Sequence, residues 1–281
     1  MINLEKIRKE KPIQDLLKFS IINIDKPSGP TSFTVSQFVK NTLNISQTGH
    51  FGTLDPIVTG VLPVALGRAC RLNDYFIHRN KEYVGIMRLH KEVDEKILKS
   101  TIKKFIGKIT QLPPVRSRVK RQLREREVLS FEILEKEGKD VLFKTEVQAG
   151  TYIRKLCDDI GKEPEIGGAH MLELRRTKAG IFSEEDIVNL YDFESAVNEY
   201  KKGNEDPLRK ILVPAEIISQ ILPVIQIKSS KQLLTGKPLM KNDIKHISEE
   251  KFALFDKDRF IGVYRKVNEG DIIARPEFIF N

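Results

Sequence analysis

Two clusters of glycine and proline fix where the first part of the chain turns. One is Asp25-Lys26-Pro27-Ser28-Gly29-Pro30-Thr31-Ser32. The other is Gly49-His50-Phe51-Gly52-Thr53-Leu54-Asp55-Pro56, continuing through Thr59-Gly60-Val61-Leu62-Pro63-Val64. Proline removes a backbone donor and keeps the residue before it out of helical angles. Glycines such as Gly49 and Gly52 admit backbone angles that other residues avoid. No long element crosses either cluster, so short elements must meet there at stiff loops. Asp55 lies on one of these loops, in an extended conformation. Two readings compete for it. An aspartate beside glycine and proline ordinarily bonds its own backbone in a turn. Alternatively, a rigid loop presents its carboxylate for chemistry, as functional loops do.

Around these clusters the pattern alternates between strands and helices. Residues 12–20 read as a short helix or docking segment, and Ile21-Ile22-Asn23-Ile24 as a strand. Ser32 is placed to cap a helix carrying Val35, Phe38, Val39 and Leu43 on one face. Lys26 then sits on the loop between them, where a single lysine is ordinarily solvated. Val61 to Leu66 reads as a buried strand, residues 68–76 as a helix, and residues 81–90 as a strand beginning near Tyr83. Asp94 caps an amphipathic helix with Ile97, Leu98, Ile102, Phe105 and Ile106 on one face, ended by Gly107. Val141, Phe143, Thr145 and Val147 alternate as a strand. Gly150-Thr151 then turns the chain into a helix with Ile153, Leu156, Cys157 and Ile160 inward. Tyr152 and Arg154 lie off that face, at the helix start. Residues 167–180 read as a loop, an apolar strand and a basic run. Residues 201–206 read as a flexible polar joint. From about residue 218 the chain reads as a small β-rich module with a hairpin across Asp256-Lys257-Asp258-Arg259.

The net charge is +9, with most of the excess before residue 215, which points to a polyanionic partner. The densest run is Arg116, Arg118, Lys120, Arg121, Arg124 and Arg126. It is either a nucleic-acid patch or a solvated loop or edge strand. The two cysteines, Cys70 and Cys157, belong to no C-x-x-C pair, which argues against a disulfide framework or zinc site. There is no H-E-x-x-H, phosphate-binding glycine loop or dinucleotide fingerprint, so no cofactor and no metal are expected. No apolar run approaches the roughly 18 residues of a spanning helix. The expectation is a soluble, cytoplasmic protein with no membrane partner.

Several segments together resemble the TruB/dyskerin family of RNA pseudouridine synthases. They are Asp25-Lys26-Pro27-Ser28-Gly29-Pro30-Thr31-Ser32, residues 49–63, Lys81-Glu82-Tyr83, Gly150-Thr151-Tyr152-Ile153-Arg154 and Leu174-Arg175-Arg176-Thr177. They fall in the family's order and cover most of residues 20–182. Pro12-Ile13-Gln14-Asp15-Leu16-Leu17, Pro113-Pro114-Val115-Arg116-Ser117 and Gly168-Ala169-His170-Met171 look most like the archaeal dyskerin-type branch, whose members belong to box H/ACA guide-RNA particles. The resemblance implies an α+β fold. A mixed, mainly antiparallel sheet flanked by helices would form the catalytic domain, and a small β-rich, PUA-like RNA-binding domain would follow. It divides the chain into an extension (1–20), a catalytic domain (21–214) and the PUA-like domain (215–281). Two departures stand out. The C-terminal region is shorter than is usual in that branch, with only Arg275-Pro276-Glu277-Phe278 like its closing segment. Phe51 stands where the family usually has a small residue.

The implied reaction detaches uracil from ribose through N1 and rejoins it through C5, with no redox step. By the resemblance, Asp55 is the catalytic carboxylate. Arg154 is its partner, since an arginine favours a carboxylate's charged form. Tyr83 stacks on the base and assists at C5. Lys26, Tyr152 and Leu174 line the pocket, and His50 contacts the RNA near the target. Arg116, Arg118, Lys120, Arg121, Arg175 and Arg176 are expected to hold phosphates. The implied partners are rRNA or tRNA, a box H/ACA guide RNA and the small proteins of that particle. Two substrates remain open, guide-selected rRNA sites and uridine 55 of tRNA. A non-catalytic RNA-binding scaffold is the alternative function. A two-carboxylate glycoside hydrolase fits less well, for want of a clear second carboxylate.

Overall fold

The computed structural model describes residues 2–113, 120–228, 232–244 and 247–280. In chain order the elements begin with α1 (Leu4–Glu10), α2 (Ile13–Lys18), β1 (Phe19–Lys26), α3 (Ser32–Leu43), β2 (Thr48–His50) and β3 (Thr59–Gly67). A 3-10 turn (Arg68–Leu72) leads to α4 (Asn73–Ile77), β4 (Lys81–Leu89), α5 (Glu95–Lys103), β5 (Gly107–Gln111) and β6 (Arg124–Glu137). Then follow β7 (Asp140–Val147), α6 (Ile153–Gly161), β8 (Ala169–Ala179), β9 (Phe182–Ser183), α7 (Leu190–Lys201), α8 (Asp206–Ile211) and β10 (Val213–Pro214). The remaining strands are β11 (Val224–Gln226), β12 (Leu239–Met240), β13 (Lys251–Asp256), β14 (Arg259–Glu269) and β15 (Ile272–Ile279).

Among the described residues, the main sheet has the order β10-β1-β3-β8-β4-β7-β6-β5, with β2 added beside β3 and β9 beside β8. Its strand pairs are antiparallel apart from β3 and β8, which run parallel and touch only at Thr59–Arg175 and Gly60–Arg176. That two-residue seam joins two antiparallel halves. Gly60 permits it: its φ is +98°, and a Cβ there would stand 2.2 Å from the Arg176 carbonyl oxygen. The fold is α+β with a mainly antiparallel sheet, as the motif order implied. A second sheet, β11-β13-β14-β15-β12, forms the C-terminal β-rich part.

β1 and β3 are buried on both faces. Ile22, Ile24, Leu62 and Val64 pack under α2, α3, α7 and α8. Ile21, Val61 and Ala65 face a cluster that also holds Phe255, Phe260 and Phe278 of the second sheet. The other half of the main sheet buries its inner face under α5 and α6, through Leu98, Ile102, Ile153, Leu156, Cys157 and Ile160.

Local differences from the sequence expectations have local causes. Thr31, not Ser32, caps α3, accepting from Thr34 N–H at 3.0 Å, because Ser32 is used elsewhere. Residues 68–76 split into a 3-10 turn and α4. α5 stops at Lys103, so Phe105 and Ile106 leave its face; Ile97 and Ile106 are exposed. Arg124 and Arg126 belong to β6, which pairs with β5. The polar residues after Lys201 form a tight turn between α7 and α8 rather than a joint between domains. The second hairpin turns at Lys257, whose φ is +55°, as two-residue turns require.

Candidate active site at the seam of the main sheet

Asp55 lies in the connection from β2 to β3, immediately before the seam. Its carbonyl accepts from Val58 N–H at 3.0 Å, a turn with Pro56 in its favoured second position. The turn reading is thus right for the backbone. The side chain does something else: its Oδ2 lies 3.0 Å from an Arg154 guanidinium nitrogen.

The backbone on both sides of Asp55 is held from buried positions. Ser32 Oγ accepts from Leu54 N–H at 2.8 Å and donates to Leu54 C=O at 3.1 Å. The Pro56 carbonyl accepts from Gly29 N–H and from Lys26 Nζ, both at 2.9 Å. Lys26 Nζ also donates to the carbonyls of Pro27 and Val58, at 2.8 and 2.9 Å. An ammonium has three donors, so none remains for a ligand. Lys26 is fully buried at the end of β1. It is not a solvated loop cation, and its ammonium is spent on main-chain oxygens. Burial pushes its pKa below the ordinary lysine value; Asp55's charge opposes this and Arg176's adds to it.

Arg176 corrects the expectation of a phosphate contact. It is 1% exposed, and its guanidinium donates to Val61 C=O at 2.7 Å and Gly52 C=O at 3.0 Å. Burial lowers its pKa, and a hydrogen bond with Tyr83 opposes the shift. Arg175, on the neighbouring position, pairs in fork geometry with Asp25 at 2.9 and 3.1 Å and also with Glu184, so three of its five donors are used within the fold. Among the other expected RNA contacts, Lys120 and Arg121 are exposed, whereas Arg116 and Arg118 lie outside the described residues.

The remaining expected residues come together. Tyr83 on β4 is opposite Arg176 on β8 and 9% exposed. Leu174 on β8 is buried, and both share a core cluster with Leu54 and Val58, which flank Asp55, and with Ile153 beside Arg154. Tyr152 forms the N-cap of α6, and Arg154 lies in the first turn. His50 Nε2 meets Thr53 Oγ1 at 3.1 Å; burial, then the charge on Arg176, lowers its pKa. Phe51 turns away from the loop's open face. It is buried, donates its N–H to Pro63 C=O at 2.9 Å, and stacks on Phe76 with ring centroids 4.6 Å apart.

Three residues with structural claims on the site were not singled out as such from the sequence, although Ser32 and Lys81 lie within its motifs. Ser32 was read as a cap. Lys81 is 5% exposed and donates to the carbonyls of Ile77 and Arg79. Burial and then the Arg176 charge bring its pKa down to about 8. Gln111, at the end of β5, bonds both backbone groups of Tyr152. No periodicity marks such a residue.

The arrangement presents one carboxylate, beside one half-exposed guanidinium, over a wall of buried cations that are satisfied by main-chain oxygens. Such a site suits an anionic substrate and a carboxylate held at fixed position.

The TruB pseudouridylate synthase N-terminal domain family matches residues 40–153, and the tRNA pseudouridylate synthase B C-terminal domain family matches residues 154–219. A probable tRNA pseudouridine synthase B from Methanopyrus kandleri is 48% identical over 223 residues, covering 79% of this chain and 66% of its own. One from Archaeoglobus fulgidus is 40% identical over 270 residues, covering 95% and 81%. The alignments to the first of these relatives thus span about two thirds of their length. Among solved structures, a chain in a Cbf5-Nop10-Gar1 complex superposes with a TM-score of 0.89 at 39% identity, covering 98% of this chain and 88% of that one. A chain in an H/ACA RNP bound to a substrate RNA containing 2′-deoxyuridine gives 0.87 at 37%, covering 98% and 89%.

Proposed function

The chain belongs to the TruB family of pseudouridylate synthases, and from that premise we propose that it isomerises uridine to pseudouridine within RNA. The observation that carries the reading is the Asp55 carboxylate, 3.0 Å from Arg154, on a loop held by Lys26, Ser32 and Arg176. The reaction breaks the bond between uracil N1 and ribose C1′ and forms one between C5 and C1′; C5 loses a proton and N1 gains one. Asp55 supplies the carboxylate at the ribose, and Arg154 orients it. Tyr83 packs against the base, and its hydroxyl, bonded to Arg176, is placed to assist at C5. Tyr152 and Leu174 complete the pocket, and His50 meets the RNA beside the target.

A stacked base is out of reach, so the uridine is extruded, at a cost of a few kcal/mol. Lys120 and Arg121, with Arg116 and Arg118, offset that cost through phosphate contacts that position the RNA without reading it. The substrate we favour is RNA selected by a box H/ACA guide, with small H/ACA proteins as partners in the cytoplasm, because the superposed chains come from such assemblies. The names of the curated relatives support tRNA as a second substrate, with uridine 55 the position that the motif resemblance implies. We divide the chain at residues 214 and 215 into a catalytic part and a PUA-like RNA-binding part, after an extension of residues 1–20.

The test incubates the protein with unmodified tRNA transcript, alone and with guide RNA and partner proteins, and maps pseudouridine. Asp55→Asn should abolish product while retaining RNA binding. Product that survives the substitution overturns the assignment. Product from the protein alone selects tRNA, and product only with guide RNA selects the guided substrate.

A further inference from the structure

Gln111 ends β5, the edge strand of the main sheet, and is 2% exposed. A buried amide must place its donor and acceptor groups. This one directs both to a single residue. Its Oε1 accepts from Tyr152 N–H at 3.0 Å, and its Nε2 donates to Tyr152 C=O at 3.2 Å.

Tyr152 is the N-cap of α6, and no side-chain cap bond is made there. Its carbonyl also receives the first helical bond, from Leu156 N–H at 2.9 Å. The buried face of α6 fixes the body of the helix, but first turns fray, and Arg154 stands in that turn. Arg154 is about half exposed, as is Asp55. An ion pair of that kind holds its own geometry weakly. The direction of Arg154 must therefore come from the backbone beneath it.

We propose that Gln111 is a positioning residue for Arg154: by clamping both peptide groups of Tyr152 it fixes the first turn of α6 and so the Asp55–Arg154 pair. The role rests on the functional reading above. Gln111 is buried and does not itself meet RNA, whose affinity rests mainly on phosphate contacts elsewhere, so its loss should fall chiefly on the chemical step.

The test uses the full chain, with Gln111→Leu removing both bonds. Gln111→Met, an uncharged side chain of similar length, also removes both bonds and serves if the leucine variant folds poorly. Single-turnover pseudouridine formation is measured at saturating RNA, with RNA Kd measured separately and amide exchange followed at residues 152–156. In Gln111→Leu the rate should fall about 10- to 100-fold, as for a slightly misplaced catalytic group, with Kd within about two-fold. Exchange should quicken in the first turn of α6 while the rest of the helix stays protected. In an Arg154→Ala background, Gln111→Leu should cost little more, because the two act through one interaction. An unchanged rate, equal losses in both backgrounds, or loss of rate together with affinity and general protection overturns the proposal. If the wild-type chain makes no product with any RNA, the functional reading fails. Exchange then decides the clamp alone, and unchanged protection at Tyr152 overturns it.

Discussion

Asp55 and Arg154 share a bond that stability measurements would hardly register. Both side chains are about half exposed, and such pairs contribute less than about 1 kcal/mol. Arg154→Ala should therefore leave the urea midpoint nearly unchanged, while lowering the rate of pseudouridine formation by about 100-fold or more. The buried cations behave in the opposite way. Lys81 has a pKa of about 8 against an ordinary 10.5. Below pH 8 it is protonated in both folded and unfolded chains, and the penalty for burying its charge is fully present. Between about 8 and 10.5 the folded state holds fewer protons, so stability from this group rises with pH. Measured by chemical unfolding from pH 7 to 10.5, wild type should gain on Lys81→Met by up to about 3 kcal/mol. These burials were not legible in the sequence. A lysine or arginine reads as surface unless its acceptors are visible, and here the acceptors are main-chain oxygens. Those of Lys26 come from residues 27, 56 and 58, and those of Arg176 from residues 52 and 61. The stiff loop at Asp55 was legible because proline and glycine constrain the local backbone whatever surrounds it, whereas the role expected of its carboxylate came from the resemblance of the motifs around it.

At the scale of elements, the parallel contact of β3 with β8 decides where the site lies. It brings the Asp55 loop, at the start of β3, against the half of β8 that carries Leu174 and Arg176. Gly60 is the point of closest approach. Gly60→Ala forces a Cβ to 2.2 Å from a backbone oxygen at φ +98°. It should cost more than about 3 kcal/mol, or fold with the seam shifted, seen as lowered thermal stability and lost activity. The α6 face was legible, because Ile153, Leu156, Cys157 and Ile160 follow helical spacing and all are buried. The seam was not. Its two pairs of residues lie more than a hundred positions apart, and local periodicity says nothing about which strand neighbours which. Part of the basic run after Pro113, Arg124 and Arg126, is strand, and its pairing with β5 was hidden for a related reason.

For the molecule as a whole, the two sheets share a core. Phe19 opens β1, the strand that ends at Lys26, and its ring stacks on Phe260 of β14 with centroids 5.4 Å apart. Phe260 also packs against Phe255 and Phe278, and it is 1% exposed. Phe51 and Phe76 belong to the same cluster, so the residue that departs from the family's usual small side chain helps fill this shared interior. Phe260→Ala should destabilise by about 3–5 kcal/mol. Followed by far-UV circular dichroism and by calorimetry, its unfolding should remain one transition, with both sheets lost together. A separate early transition would mean the shared cluster does not couple them.

The grip on the Asp55 loop falls on backbone oxygens and amides of residues 52, 54, 56 and 58. The side chains between them, Thr53 and Ile57, point to solvent, Ile57 with 56% of its surface open. The buried scaffold takes hold of peptide groups, while Thr53 carries a separate tie, from its hydroxyl to His50 Nε2 at 3.1 Å. The loop therefore divides its work between its two sides: the position of the carboxylate is set from beneath through peptide groups, while its outward side chains are left to shape the surface that an RNA meets.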